Sequence, residues 1–216
     1  MDDLVAMHQA ALGDFDRLVA GLTDEDLDLD TPCQGWRAAD LLAHSIGQHR
    51  GFATAVREGD ADRAAYAPAP FSRHDWDASV RELLDAFAAA DLTGSVRQVE
   101  LDPDNALPVA FIVGAQLLDS AVHAWDLARA LGRSYRPAPA TTSRILAMAE
   151  RIPDAGNREV DGAAFRHALR VDAPGEEARG KEAPGEEAPG EETLDDEWAR
   201  ILRLLGRDPA WAPPRR

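Results

Sequence analysis

Apolar residues recur at intervals of three or four along four long stretches of the chain, a spacing that is typical of amphipathic helices. The stretches are residues 1–20, 37–58, 72–90 and 108–132. Ser72 is a plausible N-cap for the third helix. Pro108 and Gly132 bound the fourth stretch, where proline at the start and glycine past the end are both favoured. The pattern therefore predicts an all-α protein with four main helices.

Shorter elements are predicted between and after these helices. Residues 95–108 place apolar side chains around a Pro-Asp-Asn turn signal, so a small hairpin or an extended crossover is possible there. Two further segments have helical spacing, residues 141–152 and residues 194–205, and the first of them stops before Pro153. We therefore expect short additional helices beside the four main ones.

The segment 173–192 differs from the rest of the chain because it repeats the unit Pro-Gly-Glu-Glu. It has no apolar face to pack, and such segments stay solvated. The predicted organisation is a helical bundle over residues 1–172, a disordered insertion over 173–192, and a C-terminal helix and tail over 193–216 that pack on the bundle.

Composition and charge exclude several classes of function. With 216 residues, 45% of them hydrophobic, the chain can bury one sizeable core. Its net charge of −16 repels phosphate, which argues against nucleic acid and anionic membranes as partners. The sequence shows neither a membrane span nor a signal peptide, so a cytoplasmic location is expected. A single cysteine, Cys33, excludes an intrachain disulfide and a thiolate-rich zinc finger.

The stretch LLDSAVHAWDLA in helix four carries the candidate chemistry. Asp119 and His123 are four residues apart, so an oxygen and a nitrogen can be directed to one point, as in metal-binding bundles. The alternative is a hydrogen-bonded polar pair between helices. Helix two offers a third ligand in His44 or His49. Helical-wheel geometry favours His49, which lies near the middle of the apolar stripe, whereas His44 lies on its flank.

Other residues near these motifs have more than one interpretation. Asp126 could hold the His123 imidazole through a hydrogen bond or could be a partly exposed acid. Cys33 lies just before helix two, where its thiol could be reactive or could pack as a small apolar residue. Trp36 and Trp125 are expected to be core aromatic residues that brace the two ligand-bearing helices.

Three segments together resemble a known family. TPCQGWRAADLLAHSIGQHRGF is similar to the first signature of the DinB-like four-helix bundle superfamily, in particular its mycothiol-dependent maleylpyruvate isomerase N-terminal-domain group. LLDSAVHAWDLARALG resembles the second signature of that group, and LGRDPAW resembles a common ending of its short members. The resemblance implies a DinB-like four-helix bundle. Where the isomerase has a glutamate ligand and a separate C-terminal domain, this chain has the shorter Asp119 and no comparable domain.

The resemblance also implies a function. It implies a divalent metal held by His44, Asp119 and His123, with zinc favoured over nickel or iron, and an open position for water or a thiol. The implied activity is S-transfer or isomerisation with mycothiol or a similar low-molecular-weight thiol and an electrophilic substrate. The alternative is a non-catalytic bundle that binds a metal or a small molecule. A homodimer is possible.

Overall fold

Helices account for nearly all of the regular structure in the computed structural model, which describes residues 2–155, 158, 159, 163, 165–169 and 194–213. The predicted insertion over 173–192 lies outside the described residues. The helices are α1 (Asp2–Ala20), α2 (Ala38–Glu58), α3 (Arg73–Ala88), α4 (Val109–Ala130), α5 (Pro139–Ala149) and α6 (Leu194–Leu204). The all-α fold expected from the sequence is confirmed.

The first four helices form the bundle. α1 packs along α4, α2 packs along α3, and α2 also contacts α4. The apolar face of each helix meets the others in a shared interior that includes Leu12, Leu41, Leu83 and Leu117, all fully buried. This burial is the main driving force for bringing the four helices together.

Local signals in the sequence set the ends of these helices. The Ser72 hydroxyl oxygen accepts a hydrogen bond of 3.0 Å from the Asp75 backbone N–H, which confirms the predicted N-cap of α3. Gly59 ends α2 in the left-handed region at φ 83°, and its N–H bonds to the carbonyl of Ala55. The sequence therefore fixes how far α2, which carries two candidate ligands, can extend.

A two-stranded hairpin connects α3 to α4. Strand β1 (Ser95–Arg97) runs antiparallel to β2 (Ala106–Pro108), with Val96 opposite Leu107. The hairpin predicted from the turn signal is therefore present. Two short 3₁₀ helices, Asp24–Asp28 and Arg63–Tyr66, were not predicted because a single turn has no apolar repeat.

α5 and α6 pack against each other at one side of the bundle, and α5 also contacts α4. After α6 the chain returns to α4, where the Nε of Arg129 donates a hydrogen bond of 2.9 Å to the Trp211 carbonyl. None of the helices in the described ranges is long and apolar enough to cross a membrane.

Candidate metal centre

Two neighbouring helices bring His44, Asp119 and His123 together inside the bundle. α2 supplies His44, and α4 supplies Asp119 and His123 one turn apart. One potential ligand atom from each residue lies within 4.8 Å of the other two. Within the described part of the chain, this is the one group of three such side chains close enough to share an ion.

The donor atoms of this cluster lie close together but do not form hydrogen bonds with one another. The Nε2 atoms of His44 and His123 are both buried and have no hydrogen-bond partner. Nε2 of His123 lies 3.3 Å from Oδ1 of Asp119, but the two atoms are not aligned as a hydrogen bond. Ligand atoms about 2.0–2.1 Å from a tetrahedral zinc ion lie about 3.3 Å apart. The separation between Asp119 and His123 is close to this value, the three ligand atoms lie within 4.8 Å of one another, and two imidazoles with one carboxylate are a donor set suited to a divalent cation.

The protonation states of the cluster follow from burial and charge. Burial lowers the pKa of His44 to about 4, so this imidazole is neutral at physiological pH. Burial alone would also lower the pKa of His123, but the carboxylates of Asp119 and Asp126 outweigh it and raise that pKa to about 9. For Asp119, burial raises the pKa, but the neighbouring His123 outweighs it and lowers the value to about 2.

Aromatic rings enclose the two histidines. The Trp36 ring lies 4.8 Å from the His44 ring and 6.1 Å from the His123 ring, measured between ring centroids. Phe165 lies nearly parallel to His123 at 6.2 Å, with an angle of 20° between the planes. Trp36 therefore contacts a histidine on each ligand-bearing helix, as the sequence suggested, but it is half-buried and is not a core residue as predicted. Phe165 was not predicted, because no pattern in its segment marks it.

The open question about Asp126 is settled by its position. Asp126 is fully buried, and its Oδ2 lies 3.0 Å from Nδ1 of His123. The same Oδ2 accepts a hydrogen bond of 2.9 Å from Nη2 of Arg207. The interpretation of Asp126 as a partly exposed acid is therefore wrong. Arg207 was not identified from the sequence, although it lies within the LGRDPAW ending.

The histidine favoured by the helical wheel faces away from the cluster. His49 is buried, with Nδ1 3.0 Å from the Ser79 hydroxyl oxygen and its ring 5.3 Å from that of Trp76. Both partners belong to α3. His49 therefore serves the packing of α2 on α3, and His44, on the flank of the stripe, is the histidine that reaches α4.

Cys33 does not have the surroundings of a reactive thiol. It is buried just before α2, and burial raises the pKa of its thiol to about 12. The thiolate fraction at neutral pH is therefore negligible, and nucleophilic attack requires the thiolate. The structure favours the interpretation of Cys33 as a small packed side chain.

An open cavity of about 480 Å³ lies beside the cluster. His44 forms part of its wall together with Trp36, Pro68 and Arg166. The Nε atom of Arg166 is buried without a hydrogen-bond partner, so its guanidinium still has hydrogen-bonding capacity to offer. A small molecule in this cavity would contact His44, whereas Asp119 and His123 are not part of the cavity wall.

Metal binding is expected to release one proton in mildly acidic to neutral solution. Without metal, His123 carries a proton below about pH 9, whereas His44 loses its proton at about pH 4. A metal replaces the proton on Nε2 of His123, so the apparent affinity should rise about tenfold for each pH unit between those values. Titration calorimetry at about pH 6 in buffers of different ionisation enthalpy counts the protons. Release of two protons, or none, would contradict the assigned protonation states.

Comparisons with known proteins identify a matching family model and two related sequences. The family model described as the mycothiol maleylpyruvate isomerase N-terminal domain matches residues 8–128, a range that contains all three candidate ligands. Two uncharacterised proteins, from two strains of Mycobacterium tuberculosis, are each 29% identical to the chain over 155 residues. The alignment covers 70% of this chain and 80% of each relative.

Solved structures resemble the fold. Crystal structures of the mycothiol-dependent maleylpyruvate isomerase and of a histidine-to-alanine mutant of it superpose with a TM-score of 0.51. Each comparison covers 68% of this chain and 67% of the isomerase chain, at 12% and 11% sequence identity respectively. At this identity the likeness concerns the arrangement of the helices.

Proposed function

The chain belongs to the mycothiol maleylpyruvate isomerase N-terminal domain family, and from this premise we propose that it is a divalent-metal-dependent enzyme that uses a low-molecular-weight thiol. The thiol is mycothiol or a close relative, and the reaction is S-transfer to, or isomerisation of, an electrophilic substrate. Zinc is the favoured metal, because two imidazoles and one carboxylate with an open side are typical ligands of catalytic zinc.

One observation carries the proposal. The ligand atoms of His44, Asp119 and His123 face one another within 4.8 Å, and both histidine Nε2 atoms have no other partner. Leaving buried polar atoms unpaired costs about 1–3 kcal/mol each, so a cluster of them favours a binding role over a purely structural one. The adjoining cavity brings a small molecule to the His44 edge of this cluster.

The residues around the candidate metal centre have different proposed roles. A bound divalent ion would supply the positive charge that holds a thiol as its thiolate at neutral pH. His44 and Trp36 form the cavity wall in front of His123, so they limit the entry of water on that side. Arg166 and Asp40 give the cavity wall one charge of each sign, so the wall can contact both a cationic and an anionic group of a bound molecule.

Cobalt substitution provides the test of the thiol. Addition of mycothiol, or of a simpler cysteine-containing thiol, to cobalt-loaded protein is expected to produce a sulfur-to-metal charge-transfer band in the near ultraviolet. The band should be absent in the His123→Ala variant, because this change removes a ligand. His49→Gln serves as the matched control, since His49 lies on α2 but faces α3, and it should keep the band.

The result separates the two functions considered for this chain. A charge-transfer band supports the thiol-dependent enzyme and justifies a screen of electrophiles. Stoichiometric cobalt without a spectral response to any thiol would contradict it and favour the non-catalytic metal-binding bundle. No bound metal in the wild type would contradict both metal-dependent functions and leave a bundle that binds a small molecule.

A further inference from the structure

The C-terminal segment reaches the candidate metal centre through a single buried side chain, Arg207. Only 1% of Arg207 is exposed, although arginine is among the residue types least often buried. Its Nη2 donates a hydrogen bond of 2.9 Å to Oδ2 of Asp126, and its Nε lies 3.4 Å from Oδ1. Its Nη1 donates to the Leu205 carbonyl at 2.9 Å. The guanidinium is therefore fixed by a hydrogen bond within the C-terminal segment and contacts both carboxylate oxygens of Asp126.

Asp126 passes this constraint to His123. A guanidinium has no acceptor atom, so Asp126 must act as the acceptor toward Arg207. The same Oδ2 lies 3.0 Å from Nδ1 of His123, so the hydrogen of this contact belongs to the imidazole nitrogen. Nδ1 therefore keeps its hydrogen, and when a metal displaces the proton from Nε2, the lone pair of Nε2 lies on the side of Asp119 and His44.

Phe165 supports the same arrangement from a second direction. The Arg207 guanidinium carbon lies 5.1 Å from the centre of the Phe165 ring. That ring in turn lies nearly parallel to the imidazole of His123. Arg207 of the C-terminal segment therefore contacts two groups that touch His123. Asp126 binds the Nδ1 edge of the imidazole, and Phe165 lies over one of its faces.

We propose that Arg207 is a positioning residue of the metal centre, which acts through Asp126 to fix the orientation and the tautomer of His123. The inference rests on the metal site proposed above and adds a requirement to it. Arg207 lies beyond residues 8–128, so tight metal binding by this chain depends on a segment outside the region that the family model matches. The ligands on α2 and α4 alone are then insufficient for full affinity.

The test compares zinc affinity in variants of the full chain, measured by competition with a chromophoric chelator. Arg207→Met is expected to weaken zinc binding about 10- to 100-fold, which is the usual effect of removing a group that orients a ligand. Arg207→Lys keeps the charge but loses the two-pronged contact, so it should fall between Arg207→Met and the wild type. Asp126→Asn should weaken binding to a similar extent, and combining it with Arg207→Met should add little.

Arg129→Met is the matched control. Arg129 also ties the C-terminal segment to α4, through the Trp211 carbonyl, but it does not contact Asp126. Its loss should leave zinc affinity within about twofold of the wild type. Nitrogen-15 NMR of the zinc-loaded proteins supplies a second readout, with the hydrogen of His123 on Nδ1 in the wild type and in Arg129→Met. In Arg207→Met this signal should broaden or disappear, a change that a general loss of stability would not cause in the folded fraction.

Each outcome has a distinct meaning. Wild-type affinity in Arg207→Met, with an unchanged Nδ1–H signal, would overturn the role of Arg207 and leave the metal site intact. Equal weakening in Arg207→Met and Arg129→Met would also overturn it, because the segment would then matter only for packing. Should Arg207→Met fail to fold, the decision falls to Asp126→Asn and Arg207→Lys, and wild-type affinity in both would overturn the proposal. No zinc binding by the wild type would overturn the metal site itself.

Discussion

The variants His44→Ala, Asp119→Ala and His123→Ala are each expected to lose their bound metal, whereas the wild-type chain carries close to one divalent ion. Each variant removes one of the three candidate ligands found among the described residues, and their donor atoms lie within 4.8 Å of one another. Affinity should fall by more than the roughly 10- to 100-fold that follows the loss of an orienting group. Elemental analysis by mass spectrometry on untagged protein measures the metal directly and requires no knowledge of the substrate.

A matched control distinguishes this result from a general effect of losing a buried histidine. His49→Gln changes a histidine on the same helix as His44 and keeps a side chain that can bond to Ser79. It should retain the metal. Added zinc should raise the melting temperature of the wild type and of His49→Gln but not that of the ligand variants. At a hundredfold excess of zinc over Kd, the free energy of unfolding should rise by about 2.7 kcal/mol. Metal retained in all three ligand variants would contradict the site.

Most of the fold could be predicted because burial follows the helical period. Residues 37–58 and 72–90 were predicted as helices, and α2 and α3 occupy Ala38–Glu58 and Arg73–Ala88. The prediction was weaker for the orientation of α4. Phe111 is exposed although it is aromatic, whereas Asp126, for which partial exposure was one of the two interpretations, is fully buried. Because α4 is surrounded on most sides, apolar residues occur around much of its circumference and do not mark one inward face.

The choice between His44 and His49 shows what periodicity alone cannot provide. Both histidines lie on α2, and the wheel correctly placed His49 in the apolar interior. However, α2 is buried against two neighbours, α3 on one side and α4 on another, and both buried sides are apolar. Only the arrangement of the helices decides which face meets Asp119. The resemblance of LLAH to a family signature pointed to His44, which is the histidine that the structure brings to Asp119 and His123.

Arg207 could not be found by any local pattern. It lies 81 residues after Asp126 in the sequence, and its neighbours Gly206 and Asp208 are typical of a helix end and a turn. The signal that was available is chemical. A buried aspartate beside a buried histidine requires a further donor, and an arginine is the side chain best suited to bind both carboxylate oxygens.

Gly47→Ala is expected to destabilise the protein, although alanine is the better helix former. A Cβ atom at Gly47 would lie 2.5 Å from the carbonyl oxygen of Ala67 and 2.6 Å from that of Tyr66. Both are backbone atoms, so the chain at Tyr66 and Ala67, which crosses over α2 at Gly47, must move as a whole. Such overpacking costs about 1–3 kcal/mol, and each kcal/mol lowers Tm by about 2–4 °C in a chain of this size. Thermal and urea unfolding followed by circular dichroism measure the change.

The same displacement should reach the candidate site, because Pro68 follows Ala67 directly and forms part of the cavity wall beside His44. Thiol binding to the cobalt-loaded variant should therefore weaken while cobalt itself stays bound, since none of the three ligands changes. Gly13→Ala is the control, because its Cβ would meet only the Arg17 side chain, at 3.9 Å. In α1 this change should stabilise the protein by about 0.5–1 kcal/mol. Equal stabilisation by both substitutions would show that the backbone at Tyr66 and Ala67 can move with little loss of free energy and does not shape the cavity.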